Sequence, residues 1–446
     1  MKLVVIGGVA AGLSAASKSK REDPKIDVEV YTAEQHISYA ACGLPYYIQG
    51  LIDDSSELIA RTQKQLAKNG VNVTTSTLVE RIEPKEKKIV VKHLSTGERR
   101  TTSYDKLVIA TGASPIVPPI EGRELDNIFT VKNIPDADQI KKQIPKAKKV
   151  VIVGGGYIGL EMVDAFFAHD MEITIVEMAP QLMGNIDSDM AEVVLKSLKE
   201  KGIKVCLSEK VESFEGRGKV EKIVTDKGSH KADMVIMAIG VAPNSWLAKD
   251  AQIQLGVKNA IKTNRKMETS EKDIYAAGDC TTAYHLLYED YVYIPLGTTA
   301  NKQGRLAGEN IAGLDSEFQG IIGTGIMKVL DLEVGRTGLS SKEAKKLGKK
   351  FYETTISIPN IAGYYPGHGK GKMKLIVEKG SGTILGAQII GPKGTAKRID
   401  TVAACIQNNN NIWDMAKLDL AYAPPFSSVW DPVIMAANVA IKNFEK

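Results

Sequence analysis

The stretch KKVVIVGGGYIGLEMVDAF, residues 148–166, combines a short apolar run, a glycine turn and a helix-like segment. Gly154, Gly156 and Gly159 follow the apolar run with the G-x-G-x-x-G spacing, and the next apolar run, EITIVE, ends at Glu177. This order is typical of a βαβ unit that binds a dinucleotide, because the glycines allow a tight turn and the helix N-terminus faces a pyrophosphate. Glu177 would bind a ribose diol and repel a 2′-phosphate, which favours NADH over NADPH.

The same pattern occurs a second time at KLVVIGGVAAGLSAA, residues 2–16. This copy is weaker, because Val9 replaces the middle glycine and the acidic residue is displaced: Thr32 follows the next strand, and Glu34 comes two residues later. The distant segment TSEKDIYAAGDC supports it by placing Asp279 after a predicted strand, where a carboxylate suits the ribityl hydroxyls of a flavin. We therefore expect an α/β fold with two Rossmann-like dinucleotide-binding domains.

The composition indicates a globular chain of two or three domains, since its 446 residues exceed the usual domain size of roughly 100 to 200 residues. The 58 basic residues nearly balance the 53 acidic ones, so nucleic acid is not an expected partner. No apolar run reaches about 18 residues, and we expect no membrane span. Four dispersed cysteines without a CxxC pair predict a reducing cytoplasm and no metal site, with Cys206, Cys280 and Cys405 in structural, buried positions.

Several short motifs follow one another in an order that resembles the pyridine nucleotide-disulfide oxidoreductases. Besides the two glycine turns they are ATGASP (110–115), AIGVAPN (238–244), YAAGD (275–279) and GTTANKQGR (297–305). The resemblance runs over nearly the whole chain and implies an FAD domain, an NAD(P)H domain inserted into it, a C-terminal α+β dimerisation domain and a homodimer. The implied boundaries are 1–115 and 245–318 for FAD, 116–244 for NAD(P)H and 319–446 for dimerisation.

The resemblance also implies which residues contact the dinucleotides. Tyr157 is implied as a gate over the nicotinamide pocket and Glu161 as a contact near the flavin; the alternative is a packed aromatic ring and a carboxylate stabilised by the helix dipole. The implied FAD contacts are Gly7, Val9, Ala10, Gly12, Thr32, Glu34, Ser38, Ala110, Thr111, Gly112, Gly278, Asp279, Thr298 and Ala300. The implied NAD contacts are Gly154, Gly156, Tyr157, Ile158, Gly159, Glu161, Glu177 and Gly240.

The segment SYAACGLPYYIQG, residues 38–50, contains a single cysteine, Cys42. Family members that reduce large disulfides carry a second cysteine five residues later, where this chain has Tyr47, and a histidine near the C-terminus, whereas the last histidine here is His368. A lone thiolate can still cycle through a sulfenic acid or through a mixed disulfide with a small thiol. The NADH peroxidases and oxidases of the family carry a histidine in the first glycine turn, and Ala10 in its place favours the mixed disulfide.

This segment looks like the coenzyme A-disulfide reductase branch, whose motif is S-x-x-N-C-x-x-P-Y, although Ala41 replaces the asparagine. The resemblance implies that tyrosines of the partner subunit complete the site and replace the histidine. It also implies that Lys18 and Arg21 contact coenzyme A; the alternative for these two is a solvated helix end. The implied catalytic residues are Cys42, Tyr364, Tyr365 and Tyr422, and the implied coenzyme A contacts are Lys18, Arg21, Ser38 and Cys42.

These observations predict an FAD-dependent reductase that uses NADH, or NADPH, to reduce coenzyme A disulfide through a Cys42–S–S–CoA mixed disulfide. We expect the pKa of Cys42 to lie below the usual value of about 8.5, lowered by the flavin and a following helix N-terminus. Alternatives are a reductase of persulfide, polysulfide or sulfur, an NADH oxidase or peroxidase, and a redox sensor without turnover. Some sulfur-handling relatives append a rhodanese domain, whereas this chain ends at Lys446, so we expect the disulfide first.

Overall fold

The computed structural model describes residues 1–444. The helices are α1 Ala10–Glu22, α2 Leu44–Gln49, α3 Gln63–Lys68, α4 Ile134–Gln143, α5 Tyr157–Phe167, α6 Ser188–Glu200, α7 Trp246–Asp250, α8 Gly297–Ile311, α9 Ser341–Lys346, α10 Ile399–Gln407, α11 Ile412–Ala416 and α12 Pro432–Phe444. Short 3-10 turns lie at Ala41–Gly43, Ser55–Leu58, Ile144–Lys146, Val257–Asn259 and Ala396–Arg398.

The strands follow in chain order. In the first half they are β1 Lys2–Ile6, β2 Asp27–Tyr31, β3 Val71–Thr74, β4 Thr77–Glu83, β5 Lys88–His93, β6 Arg99–Ser103, β7 Lys106–Ile109, β8 Ala113–Pro115, β9 Ile128–Phe129, β10 Lys149–Val153, β11 Glu172–Glu177 and β12 Lys204–Leu207. In the second half they are β13 Val211–Glu215, β14 Lys222–Thr225, β15 Gly228–Lys231, β16 Met234–Met237, β17 Val241–Pro243, β18 Ile274–Ala276, β19 Ala283–His285, β20 Asp290–Val292, β21 Gly325–Val329, β22 Leu332–Gly338, β23 Phe351–Pro359, β24 Lys370–Glu378 and β25 Ile384–Gly391.

The first glycine turn belongs to a five-stranded parallel sheet with the order β18-β7-β1-β2-β3. Its central strand β1 is apolar and almost entirely buried, as expected for a parallel strand covered on both faces. Strand β18 comes from far along the chain, so this sheet is completed by residues that follow the second glycine turn. That connectivity brings the segment around Asp279 back to the end of β1.

The second glycine turn belongs to a separate five-stranded parallel sheet, β12-β11-β10-β16-β9. A three-stranded antiparallel sheet, β13-β14-β15, leads from its edge strand β12 back to the interior strand β16. The short strands β8 and β17 pair antiparallel where the chain passes between the two units, with Val241 opposite Pro115. The two parallel sheets thus repeat one architecture.

The C-terminal part contains a five-stranded antiparallel sheet, β21-β22-β25-β24-β23. Helices α10 and α12 pack on this sheet through apolar faces that include Val402, Cys405, Val433 and Ala437. The predicted fold class is therefore confirmed: two Rossmann-like units are joined to a C-terminal α+β unit. Among the described residues, no helix is both long enough and apolar enough to cross a membrane.

Candidate active site

Cys42 lies just before the helix that follows β2. It is the middle residue of the 3-10 turn Ala41–Gly43, which continues directly into α2, and its side chain reaches solvent. Tyr47, at the position of the second cysteine in large-disulfide reductases, is buried, and its hydroxyl donates to Asp138 Oδ1 at 2.7 Å. Tyr47 therefore anchors α2 to α4 instead of offering Cys42 a thiol.

The protein residues around Cys42 raise the pKa of its thiol. The lower pKa expected from the sequence depends on the flavin as well as on the helix N-terminus, and it stays a prediction. The side chain reaches solvent, but it sits in a cleft whose walls desolvate it, and this desolvation is the main cause of the rise. The negative charges of Glu161 and Asp279 act in the same direction. Helix α2 has only six residues and no side-chain cap, so its N-terminus does not reverse the effect.

Glu161 is the titratable group that the second Rossmann unit presents to Cys42. It follows Tyr157 by one turn of α5, and desolvation together with the charge of Asp164 raises the pKa of Glu161 to about 7. The hydroxyl of Tyr157 accepts a hydrogen bond from Asn185 Nδ2 at 3.0 Å. The cleft beside Cys42 therefore contains a carboxyl group that exchanges its proton near neutral pH.

The first glycine turn packs against the strand that carries ATGASP. A Cβ on Gly7 would lie 2.1 Å from the carbonyl oxygen of Ala110, and Gly7 has φ +120°. Gly278 contacts Ala11 and Ala300 so closely that its own Cβ would lie 2.8 Å and 3.6 Å from their Cβ atoms. The fold thus brings together the start of α1, the segment before Asp279 and the start of α8, which lie far apart in the sequence.

Asp279 supplies an observation that tests whether this region fits FAD. Burial raises the pKa of its carboxyl group, while Lys132 acts in the opposite direction. Within the described chain the carboxylate has no hydrogen-bond partner, although the Asp279 carbonyl accepts one from Tyr293. A half-buried carboxylate without a partner suits ligand hydroxyls, and the backbone amides at the start of α1 suit a pyrophosphate. The residues present therefore fit FAD.

The remaining predicted FAD residues line the same region in different ways. Thr32 is buried just after β2, and Glu34 accepts a hydrogen bond from the Tyr39 hydroxyl at 2.8 Å. Thr111 donates to the carbonyl oxygen of Asn244 at 2.5 Å, which ties the ATGASP and AIGVAPN motifs together. Ser38 and Gly112 have positive φ, and Val9 and Ala10 line the cavity along α1. Gly12 is buried in α1, Ala110 directly follows β7, and Thr298 lies in the first turn of α8.

The second glycine turn has the same backbone geometry and a different acidic residue. A Cβ on Gly154 would lie 2.4 Å from the carbonyl oxygen of Ala238, and one on Gly156 would meet nothing within 4 Å, which leaves room for a ligand. The Glu177 carboxylate accepts hydrogen bonds from the backbone amides of Gly155 and Ala179, both at 2.7 Å. These bonds fix Glu177 beside the turn. Gly240, with φ +122°, lies after β16, and Ile158 and Gly159 lie in the first turn of α5.

A basic cavity of about 410 Å³ lies along α1 and ends near the Cys42 segment, at Ala40. The ammonium group of Lys18, predicted to contact coenzyme A, is already held by Glu22 and by Glu309. Glu309 also pairs with Arg305, and the contact of Lys18 with coenzyme A stays a prediction. The cavity is lined by Val9, Ala10, Leu13, Ser14, Ser17, Lys18, Arg21, Ser38, Tyr39, Ala40, Ala60, Arg61, Asn301 and Arg305.

Two arginines of this cavity were missed by reasoning from the sequence. Arg61 donates to the Ser17 hydroxyl at 3.3 Å, and Arg305 pairs with Glu309 at 3.2 Å. Asn301 and Arg305 occupy one face of α8 at a spacing of four residues, and this face lies against α1. The four-residue spacing of Asn301 and Arg305 could have indicated from the sequence that both face the cavity. The approach of Arg61 from the loop before α3 could not have been read from the sequence.

Two of the three C-terminal tyrosines bond to each other. The hydroxyl groups of Tyr364 and Tyr422 are 3.2 Å apart, and this hydrogen bond raises the pKa of Tyr422. Neither hydroxyl bonds to the Cys42 segment among the described residues. Both are exposed, as are the large apolar side chains Tyr365, Phe426, Val429 and Trp430 of the same C-terminal unit.

The other cysteines differ in burial. Cys280 is fully buried, and its thiol contacts the carbonyl oxygens of Ile109 and Ala277. Cys405 is buried on α10, as predicted. Cys206 is only half-buried, because β12 is an edge strand of the second parallel sheet, so the prediction of burial was wrong for this residue.

Comparison with known proteins gives the same assignment across most of the chain. Residues 1–304 match the model of the pyridine nucleotide-disulphide oxidoreductases, and residues 325–433 match the dimerisation domain of that family. An NAD(P)H coenzyme A polysulfide/persulfide reductase of Pyrococcus horikoshii is 38% identical, with 98% of each chain covered. An NADH oxidase of Methanocaldococcus jannaschii is also 38% identical, with 99% of each chain covered.

A solved structure adds a three-dimensional match. The reduced CoADR-RHD of Bacillus anthracis superposes with a TM-score of 0.97 at 38% identity, over 100% of this chain and 80% of that one. These matches confirm the resemblance drawn from the motifs, and they imply an oxidoreductase that uses FAD and NAD(P)H. The chain belongs to the pyridine nucleotide-disulphide oxidoreductase family.

Proposed function

We propose that this protein is an FAD- and NAD(P)H-dependent reductase that cleaves a sulfur–sulfur bond of a coenzyme A compound at Cys42, with coenzyme A disulfide as the first candidate. The observation that carries the proposal is the basic cavity, which leads along α1 to Ala40, two residues before the thiol. The reaction yields free thiols, and we place it in a reducing cytoplasm.

The cavity suits the phosphates of coenzyme A. Arg21, Arg61 and Arg305 are exposed cations at its walls, and arginine binds phosphate oxygens in a bidentate manner. Ser14 and Asn301 add polar groups, which bond to each other at 2.9 Å. A phosphate-bearing end held here directs a thiol arm toward Cys42, so Arg61 and Arg305 join Lys18 and Arg21 in the proposed contact set.

The proposed cofactor sites follow the two glycine turns. FAD would be held by residues 1–115 and 245–318, with Asp279 accepting from its hydroxyls, and when bound it supplies the two-electron link between nicotinamide and sulfur. NAD(P)H would be held by residues 116–244. The Glu177 carboxylate, fixed by Gly155 and Ala179, supports NADH over NADPH because a 2′-phosphate placed beside it would be repelled.

Cys42 acts as the nucleophile in this proposal. Its thiolate attacks one sulfur of coenzyme A disulfide, which forms the Cys42–S–S–CoA bond and releases one coenzyme A thiolate. Two electrons and a proton derived from NAD(P)H then release the second thiol and restore the Cys42 thiolate. Because the surrounding residues raise the pKa of the Cys42 thiol, forming the thiolate calls for a proton acceptor, and Glu161, with its pKa of about 7, is the adjacent candidate.

The exposed aromatic side chains of the C-terminal unit support a homodimer in which the partner completes the site. The departing thiolate would then be hydrogen-bonded or protonated by the partner's Tyr364, the partner's Tyr365 and the partner's Tyr422. The C-terminal match to a dimerisation domain supports this arrangement. Large exposed aromatic side chains such as Phe426 and Trp430, exposed by 75% and 63%, also favour burial against another surface.

Two other substrates remain as candidates. The 38% identity to a coenzyme A polysulfide/persulfide reductase favours a persulfide or polysulfide as the second candidate, with the same cavity holding its coenzyme A portion. The equal identity to an NADH oxidase keeps oxygen chemistry as a third. Ala10 stands against the third, because a methyl group at this position offers no proton to an oxygen species.

Intact-protein mass spectrometry without reductant tests the proposal directly. We expect wild-type protein to carry a coenzyme A adduct that Cys42→Ser lacks, while Cys405→Ser, which alters a buried cysteine far from the cavity, keeps it. NADH consumption with coenzyme A disulfide, polysulfide and peroxide in parallel then ranks the substrates. Turnover that persists at wild-type rates in Cys42→Ser would overturn the mechanism.

A further inference from the structure

Three potential metal ligands meet at the edge of the second Rossmann unit, on the strand next to the one that ends at Glu177. Cys206 lies on β12, Glu209 two residues after its end, and His230 on β15. Their ligating sulfur, oxygen and nitrogen atoms all lie within 4.8 Å of one another. In the part of the chain that the structure describes, no other group of three or more such side chains is this compact.

The backbone fixes all three positions. Strand β12 pairs with β11, where Cys206 lies opposite Val176. The backbone amide of Glu209 donates to the carbonyl oxygen of Glu177 at 3.0 Å, which continues this pairing past the strand end. His230 lies opposite Ile223 in the antiparallel pair β14–β15. The side chains therefore converge from rigid sheet elements, as a preorganised metal site requires.

The cluster is largely shielded from solvent. Glu209 is 7% exposed, and its Oε1 atom lies 2.6 Å from His230 Nε2. Thr225 donates its hydroxyl hydrogen to the same carboxylate at 2.7 Å, which orients the carboxylate from behind. Cys206 is half-buried and closes the cluster toward the surface. An ion entering past Cys206 would meet three different donor atoms in a shielded recess.

We propose that Cys206, Glu209 and His230 bind a divalent transition-metal ion of the zinc class. A thiolate, an imidazole and a carboxylate are the ligand types that zinc takes, and three protein ligands with one remaining position are a common zinc arrangement. Cys206 loses its thiol proton to solvent on binding, and His230 binds through Nε2, whose hydrogen is lost from its bond to Glu209 while Nδ1 takes up a proton. Lys204, whose ammonium lies 3.1 Å from Nδ1, is exposed and turns away from the ring when this happens.

The sequence did not predict this site, because its three residues do not form a familiar metal-binding spacing. Cys206 and Glu209 are close in sequence, but His230 joins them only after the chain has run through β13 and β14 and returned. The site depends on the register of that small antiparallel sheet.

Zinc binding to the flavin-loaded full chain tests the proposal. The background variant is Cys42→Ser, which removes the exposed thiol that would also bind zinc. After equilibrium dialysis against Zn²⁺ and metal analysis, we expect one tightly bound ion per chain. Adding Cys206→Ser lowers the affinity by at least about a hundredfold, since loss of an outer partner alone costs roughly 10- to 100-fold. Adding Cys405→Ser leaves the affinity unchanged.

A second variant and a spectroscopic measurement keep the result interpretable. His230→Gln in the same background should lower the affinity to a similar degree, with flavin content and melting temperature reporting that each variant is folded. X-ray absorption at the zinc edge should show one sulfur at about 2.3 Å and nitrogen or oxygen ligands at about 2.0 to 2.2 Å. Equal zinc binding with and without Cys206, or a zinc shell without sulfur, would overturn the proposal.

Discussion

The two glycine turns use one backbone geometry for two different purposes. A Cβ on Gly12 would lie 2.0 Å from the carbonyl oxygen of Gly7. A Cβ on Gly159 would lie 2.1 Å from the carbonyl oxygen of Gly154. Gly7 and Gly154 each press against the carbonyl oxygen of a neighbouring strand. The backbone requirements are therefore the same, although Val9 makes the first motif look degenerate.

The difference lies on the helix face that follows each turn. Counted from the first glycine of each turn, Ala10 and Ser14 on α1 correspond to Tyr157 and Glu161 on α5. The small pair lines the basic cavity, whereas Glu161 of the large pair faces Cys42, and desolvation raises its pKa. One helix face leaves a cavity, and the other carries an aromatic ring and a carboxyl group. Two side chains per helix account for this difference.

The largest effect should come from breaking each turn in the same way. Gly7→Ala introduces a Cβ 2.1 Å from a carbonyl oxygen at φ +120°, at a cost of about 1–3 kcal/mol for backbone strain and a similar amount for overpacking. We expect this variant to lose FAD, measured as the flavin-to-protein absorbance ratio. Gly154→Ala should retain FAD that dithionite reduces but NADH no longer does. Full flavin retention and normal NADH reduction in Gly7→Ala would contradict the comparison.

Glu161 should make the free energy of unfolding depend on pH. Ser14, the corresponding residue of α1, carries no titratable group that could do the same. A carboxyl pKa raised from 4.5 to about 7 favours the folded state while the group is protonated, so this contribution is present below about pH 4.5 and lost as pH rises through about 7. The loss amounts to at most about 3 kcal/mol. Melting temperatures of wild type and Glu161→Gln at about pH 5 and about pH 8 measure it. A gap between the two proteins that does not change with pH would contradict the assignment.

Glu177 should give the second turn a preference for NADH over NADPH. The first turn lacks this acidic residue, because Thr32 stands at the corresponding place. Glu177→Ala removes a charged group worth about 1.5–3 kcal/mol, so kcat/KM for NADH should fall about 10- to 100-fold, and less for NADPH. Glu172→Ala is the matched control, because Glu172 lies on the same strand in an exposed ion pair with Lys149. An equal loss for both nucleotides would remove the proposed role.

The smallest effect should come from placing on α1, at Ser14, the glutamate that α5 carries at the corresponding position, Glu161. Ser14→Glu places a negative charge in the basic cavity, and we expect the affinity for coenzyme A to fall about tenfold, which is about 1.4 kcal/mol. Ser14→Gln, of the same size without the charge, is the control. Calorimetry with coenzyme A on the flavin-loaded protein measures both variants. Unchanged binding in Ser14→Glu would place the phosphates elsewhere.

The sequence by itself determined the two Rossmann-like units and the C-terminal α+β unit, and it singled out Cys42 as the predicted redox cysteine. It could do so because each motif rests on contacts between residues close in the chain, such as Gly154 with Gly159, or on a missing partner, such as Tyr47 in place of a second cysteine. These local requirements leave a readable pattern of glycines and apolar runs.

Only the tertiary structure decided the charges around those motifs. Lys18 pairs with Glu309, 291 positions away, and Arg61 reaches the same cavity from a separate loop. The pKa of Cys42 is raised by the walls of its cleft, with Glu161 and the distant Asp279 adding to the effect. The physical reason is that electrostatics and desolvation depend on distance in space, whereas a sequence motif records only distance along the chain.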